Sequence, residues 1–184
     1  MKKRRVLLGV AAAASILAAV LAVPGKPEAL TCAEPSIRVY KDEGTLELFC
    51  NGGFRRAMPA TFGASPHGAK EREGDERTPE GTYTIASSRR DADRFHRFLG
   101  VSYPNEADLA HARAAGIAKP GGGIGIHGTN RPISARMWIR FAHATGLASY
   151  WGPTDGCVAL TNEDVTQLAD VAPVGTPVLI RAHR

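Results

Sequence analysis

Two kinds of hydrophobic pattern divide this chain. Residues 6–23 form one continuous apolar run, broken by nothing more polar than Ser15, directly behind Lys2, Lys3, Arg4 and Arg5. From residue 36 onward the apolar positions come in short runs separated by Gly, Pro, Asn and Asp. Ile37 and Val39 alternate with polar neighbours over 36–40, and Leu46 and Leu48 do the same over 45–50. That period of two predicts strands. The turns between them are Lys41-Asp42-Glu43-Gly44 and Asn51-Gly52-Gly53, and residues 54–62 carry the chain back, which makes a β-meander. Further strands are predicted over 82–86 and 176–182. The stretch 63–81, between the meander and the 82–86 strand, has no periodicity and is rich in Gly, Pro and charge, so it is either functional or mobile. Helical signals are fewer. Asn105 is a good N-cap, followed by acidic Glu106 and Asp108, with Leu109, Ala110 and Ala114 as a weak stripe and Gly116 as the stop. Met137, Trp138 and Phe141 give the apolar face of a helix over 134–146, with Arg136, Arg140 and His143 opposite. Thr161 and Asp164 have capping-box spacing before Val165, Leu168 and Ala172, and Pro173 ends that helix. The outcome is a mostly-β domain, a sandwich or barrel-like sheet with a few short helices.

Composition adds a compartment. A basic cluster followed by an apolar run is the pattern of an export signal, and residues 20–22 offer modest side chains for cleavage. The run is also long enough for an uncleaved membrane anchor. Both readings of residues 1–23 put the rest outside the cytoplasm, in the periplasm or on the wall side of the membrane. Residues 24–35 then form a linker, and one domain occupies 36–181. The net charge of +5 owes much to the leader, and no aromatic–basic pattern suggests nucleic acid. The residual basicity suits an anionic polymer such as a bacterial wall. Three cysteines are an odd count for an exported chain, so one free thiol is expected. Cys32 and Cys50 flank the first hairpin and can pair. Such a bridge would stabilise by about 3 kcal/mol and would leave Cys157 free. The alternative is three reduced thiols.

Cys157 follows Gly156 at the mouth of a short apolar run, in Thr154-Asp155-Gly156-Cys157-Val158-Ala159-Leu160. His127 ends another short strand, in Ile124-Gly125-Ile126-His127-Gly128-Thr129. Cysteine and histidine at two strand ends are the minimum needed for thiol nucleophilic catalysis. A free thiol is mostly protonated at neutral pH, and an imidazole can take that proton as sulfur attacks a carbonyl. The oxyanion that develops needs fixed donors, and the N–H groups around Gly156 and Cys157 are candidates. Taken singly, each residue reads more plainly as a core thiol or a structural histidine. His143 is a rival base, but Arg136 and Arg140 on its stripe disfavour its protonated form. His67 lies in a surface loop, and His96, His111 and His183 read as surface or packing residues. No zinc-ligand spacing and no phosphate-binding glycine motif is present, so no metal or cofactor is expected.

Together these stretches resemble the L,D-transpeptidase (YkuD-type) catalytic domain, with a His-Gly motif followed by Ser/Thr-His-Gly-Cys. Gly74-Asp75-Glu76-Arg77-Thr78-Pro79-Glu80-Gly81-Thr82-Tyr83 and the segment from Phe95 to Asn105 match as well, and the similarity covers roughly 36–181. The resemblance implies a mostly-β domain that acts on peptidoglycan stem peptides. Its thiol attacks the L-centre carbonyl of the L,D bond between diaminopimelate and D-alanine, and passes the acyl group to an amine or to water. It implies Cys157 as nucleophile, His127 as base and Gly156 as backbone near the oxyanion. Gly128, Thr129, Thr154, Asp155 and Tyr103 are implied as substrate-binding or site-supporting positions. Two features depart from the commoner pattern. Asp155 stands where most members have His, which suggests an acceptor or orienting role for it. The spacing from His127 to Cys157 is long, and the 134–146 helix fills it. Hydrolysis on the same fold, including release of a wall-linked lipoprotein, is the near alternative. A non-catalytic wall-binding module is the alternative of another class.

Overall fold

The computed structural model describes residues 30–65, 67–128 and 154–184. The leader, most of the linker, Thr129 and the helix expected over 134–146 lie outside the described residues. Strands β1 (Pro35–Tyr40), β2 (Thr45–Cys50) and β3 (Gly53–Pro59) form the expected meander. Ile37 sits opposite Leu48 and Val39 opposite Leu46, so the alternating apolar residues meet on one face. All four are essentially inaccessible to solvent. Asn51 and Gly52 both adopt positive φ, the conformation a two-residue hairpin turn requires. Cys32 and Cys50 form a disulfide across Cα atoms 5.3 Å apart, which ties the approach to β1 to the end of β2 and leaves Cys157 free.

Beyond the meander the sheet is built from distant pieces. Strand β4 (Gly81–Asp91) is much longer than the 82–86 segment that alternation predicts. Its second half, from Ser87 on, is polar and largely exposed, so no apolar pattern marks it; it is held by pairing with β5 (His96–Val101). β5 has no alternation either, because Phe98, Leu99, Gly100 and Val101 are all buried. The closing strand β8 (Pro177–Arg181) lies between β1, to which it is parallel, and the first half of β4. Strands β6 (Gly125–His127) and β7 (Val158–Ala159) complete an eight-stranded order, β3-β2-β1-β8-β4-β5-β6-β7.

The sheet curls until its ends meet. Past β3, Thr61 exchanges two backbone hydrogen bonds with Ala159 of β7, at 3.0 and 2.8 Å. Leu99, Ile126, Val158 and Leu160 fill the interior beside Leu46 and Leu48.

Helix α1 (Glu106–Ala114) has the expected Asn105 cap, and Asp108 completes a capping box. The expected Leu109–Ala110–Ala114 stripe is incorrect. Ala112 is the buried residue, while Ala110 is exposed, because the helix meets the body along a narrower line than its weak pattern suggests. Helix α2 (Asn162–Val171) follows β7 directly. Thr161 Oγ1 accepts the Asp164 N–H at 3.1 Å and donates to Asp164 Oδ2 at 2.7 Å. The Asp164 carboxylate also receives Arg56 at 2.6 Å, so the cap doubles as a tie to β3. Val165, Leu168 and Ala172 are buried as the pattern predicts.

The long stretch 63–81 is pinned from within. Lys41 is almost wholly buried and its ammonium donates to Gly68 O at 2.6 Å and Thr78 O at 3.3 Å, with Glu80 at 2.6 Å. Lys70, also buried, pairs with Asp75 at 2.7 Å. Asp75 in turn accepts the N–H groups of Glu71, Arg72 and Arg77. Burial works against the Asp75 charge, but these hydrogen bonds outweigh it and hold its pKa down at about 2.

Candidate active site

His127 and Cys157 come together through the parallel pairing of β6 with β7. His127 is in register with Ala159 and Ile126 with Val158. One position back along the same ladder sets Cys157 beside Gly125. Alternation along a strand then gives Cys157 and His127 the same face of the sheet, diagonally across two strands. Their direct neighbours are small. Gly125 has no side chain, and a Cβ there would lie 2.4 Å from the ring of Phe98.

The turn into Cys157 is held by Thr154. Its hydroxyl donates to Cys157 O at 2.8 Å and accepts the Gly156 N–H at 3.2 Å. The Thr154 carbonyl accepts the Ala64 N–H at 3.0 Å, which ties the turn to the start of the 63–81 stretch. Gly156 has φ +127°, and a Cβ on it would sit 2.5 Å from Arg77 O. Only glycine fits such a place. Since its N–H is bonded to Thr154, what Gly156 supplies here is the turn. Asp155 is exposed. Gly128 is buried against the start of α2, where a Cβ would meet Asn162 Oδ1 at 2.4 Å.

The imidazole of His127 is buried and oriented. Nδ1 lies 2.6 Å from Gly128 O. A carbonyl can only accept, so Nδ1 carries the proton and Nε2 keeps its lone pair. Two rings fix the plane. Phe95 lies 4.4 Å from the imidazole, and Phe98 stacks parallel to it at 6.1 Å. Burial pushes the His127 pKa down, and the Arg94 charge adds to that; the Gly128 hydrogen bond and Asp91 oppose it.

The Cys157 thiol is half-buried and donates to Gly123 O at 3.6 Å. Burial pushes its pKa up and the Asp155 charge acts in the same sense, against a backbone hydrogen bond from Gly125 and the charges of Arg94 and Lys70. Both shifts favour a neutral thiol beside a neutral imidazole. The segment that bears Gly123 is itself braced. Tyr103 is a core residue whose hydroxyl donates to Pro120 O at 2.9 Å, and the Glu73 N–H donates to Lys119 O at 2.9 Å. Burial and the nearby Asp108 and Asp75 push the Tyr103 pKa up to about 12. Its place is that of a supporting residue.

The rival base His143, with Arg136 and Arg140, lies outside the described residues. His67 is exposed. His96, at the start of β5, is engaged with α2, its Nε2 3.0 Å from Thr166 Oγ1. Among the described residues no group of three or more His, Cys, Asp or Glu is placed to hold a metal ion. Sequence reasoning missed Phe95 and Phe98, whose nearness to His127 follows from the β5–β6 register, Phe98 opposite His127. It also missed Gly123 as the thiol's acceptor.

A curled, mostly-β sheet with a free cysteine and a buried histidine on neighbouring short strands has the fold of the L,D-transpeptidases. Three of the solved structures that share it illustrate the likeness. They are the helical cell shape determining protein Pgp2 from Campylobacter jejuni (23% identity, TM-score 0.58), Bd1075 from Bdellovibrio bacteriovorus (24%, 0.56) and the L,D-transpeptidase from Xylanimonas cellulosilytica (18%, 0.52). They cover 82%, 83% and 82% of this chain, which spans 48%, 49% and 62% of theirs. The signature of the YkuD family, the L,D-transpeptidase catalytic domain, matches residues 34–180, and the chain belongs to that family. YafK of Escherichia coli (strain K12) is 29% identical over 80 residues, 41% of this chain and 32% of YafK, so the chain spans about a third of that relative's length.

Proposed function

We propose that this protein is an exported cysteine L,D-transpeptidase acting on peptidoglycan stem peptides. The observation that carries the reading is the family match across 34–180 combined with a free Cys157 and a buried, oriented His127 on paired strands. In this reading the thiol turns from Gly123 O toward His127 Nε2. As sulfur attacks the L-centre carbonyl of the L,D bond, its proton passes to Nε2. Proton transfer then accompanies attack, because burial disfavours a standing thiolate–imidazolium pair. The Cys157 N–H is a candidate backbone donor for the oxyanion, and that of Gly156 joins only by leaving Thr154. The C–N bond breaks, His127 returns the proton to the departing D-alanine amine, and a thioester remains. An acceptor amine then resolves it. The leader-like 1–23 and the Cys32–Cys50 disulfide support work in an oxidising compartment outside the cytoplasm.

The test uses purified disaccharide tetrapeptide. Cross-linked dimer is the expected product; tripeptide alone would replace the transferase by a hydrolase. Cys157→Ala should lose at least about 10³-fold in activity while keeping its fold, and His127→Ala should lose nearly as much. Full activity in Cys157→Ala would overturn the assignment.

A further inference from the structure

The turn between β4 and β5 places a cation beside the site that the reaction above does not use. The Arg94 N–H donates to Asp91 Oδ1 at 2.9 Å, which fixes the turn. From there the Arg94 guanidinium lies over the Phe95 ring, 4.7 Å from its centroid, and the same ring lies 4.4 Å from the His127 imidazole. One aromatic ring therefore touches both an exposed guanidinium and the candidate base. The charge of Arg94 acts on both His127 and Cys157.

Other cations nearby are already engaged. Lys70, whose charge also reaches the thiol, is buried on Asp75. Arg89 stacks on Phe98 at 4.1 Å with Asp91 at 3.8 Å, and Arg97 pairs with Asp170. Among the described residues the Arg94 guanidinium has no carboxylate partner. A guanidinium lying flat on a ring keeps its N–H edge free for bidentate binding of a carboxylate. Asp155, exposed near the thiol, would repel that carboxylate from its own side.

We propose that Arg94, held on Phe95 beside His127, binds a carboxylate of the donor stem peptide and so selects donors that carry one there. This rests on the stem-peptide reading above. Two carboxylates fit that chemistry: that of the terminal D-alanine, a few bonds from the scissile carbonyl, and that of the diaminopimelate side chain. Both are anions that a guanidinium seated on an aromatic ring can hold while the carbonyl faces sulfur.

The test compares wild type, Arg94→Gln and Arg94→Lys on three disaccharide tetrapeptides: unmodified, amidated at the D-alanine carboxyl, and amidated at the diaminopimelate carboxyl. Loss of a charge-assisted hydrogen bond predicts that Arg94→Gln lowers kcat/KM on the unmodified peptide by about 10- to 100-fold. One of the two amidations should lower wild-type kcat/KM equally and leave Arg94→Gln unaffected, and that one identifies the carboxylate. Arg94→Lys should recover part of the loss. If Arg94→Gln loses the same factor on all three peptides, or loses nothing, Arg94 does not read a carboxylate and the proposal falls while the enzyme reading stands. If wild type turns over none of the three, it is the enzyme reading that falls, and this proposal with it.

Discussion

His127 is buried against two phenylalanine rings, and among the described residues its polar partner is Gly128 O. That environment makes its neutral form the stable one, which is the form a base needs. The pH dependence follows with a definite sign. The folded pKa lies below the ordinary 6.5, so the acid limb of kcat/KM against pH should fall below that value. In the unfolded chain the same ring takes up its proton earlier. His127 therefore lowers stability as pH drops from 6.5 toward the folded pKa. At the other limb the thiol is pushed above 9, and its alkylation by iodoacetamide should rise with an inflection above 9. An acid limb at or above 6.5 would mean that another group is the base. At this scale the site was half legible. Gly156-Cys157 and His127-Gly128 stand in local motifs with local reasons for their glycines. Phe95 and Arg94 have no such mark, because their part comes from a register between strands far apart in sequence.

Among the elements, those with one buried face could be read from the chain. β1 alternates because its outer positions are the more polar, and α2 shows its stripe at Val165 and Leu168 for the same reason; β2 is buried at all four central positions, yet Leu46 and Leu48 still mark its inner face. The second half of β4 and all of β5 could not be read. One is polar on both faces, the other buried on nearly all of its length, and a period of two survives in neither. The 63–81 stretch was ambiguous for another reason: its order comes from single charges and not from a pattern. The Lys70–Asp75 pair holds the wall behind Gly121, where a Cβ would lie 3.1 Å from Lys70 Cε. Asp75→Asn would leave a buried ammonium without its counter-charge, at a cost of roughly 3–5 kcal/mol. Urea unfolding at neutral pH measures it. The stabilisation from the ionised Asp75 is fully present above pH 3.8 and is lost as pH falls toward about 2, so the wild-type advantage over Asp75→Asn should vanish in that window.

For the whole molecule the disulfide is a constraint whose contribution can be measured. The bridge closes a loop of separation 18 at one end of the meander, away from the paired strands that carry the site. Reduction should lower unfolding free energy by about 3 kcal/mol and leave the fold intact. Chemical denaturation of a Cys157→Ala background, with and without reductant, isolates that term; no difference would mean the bridge does not form in the protein. The curl of the sheet has a separate effect. Where Thr61 seals against Ala159, β7 has no bare rim, and the outer strand β3 carries Arg55 and Arg56 and ends on Pro59. Charge and proline discourage a neighbour from docking edge to edge. Crowded copies thus find little inviting strand to extend, and the scaffold disfavours aggregation by lateral growth.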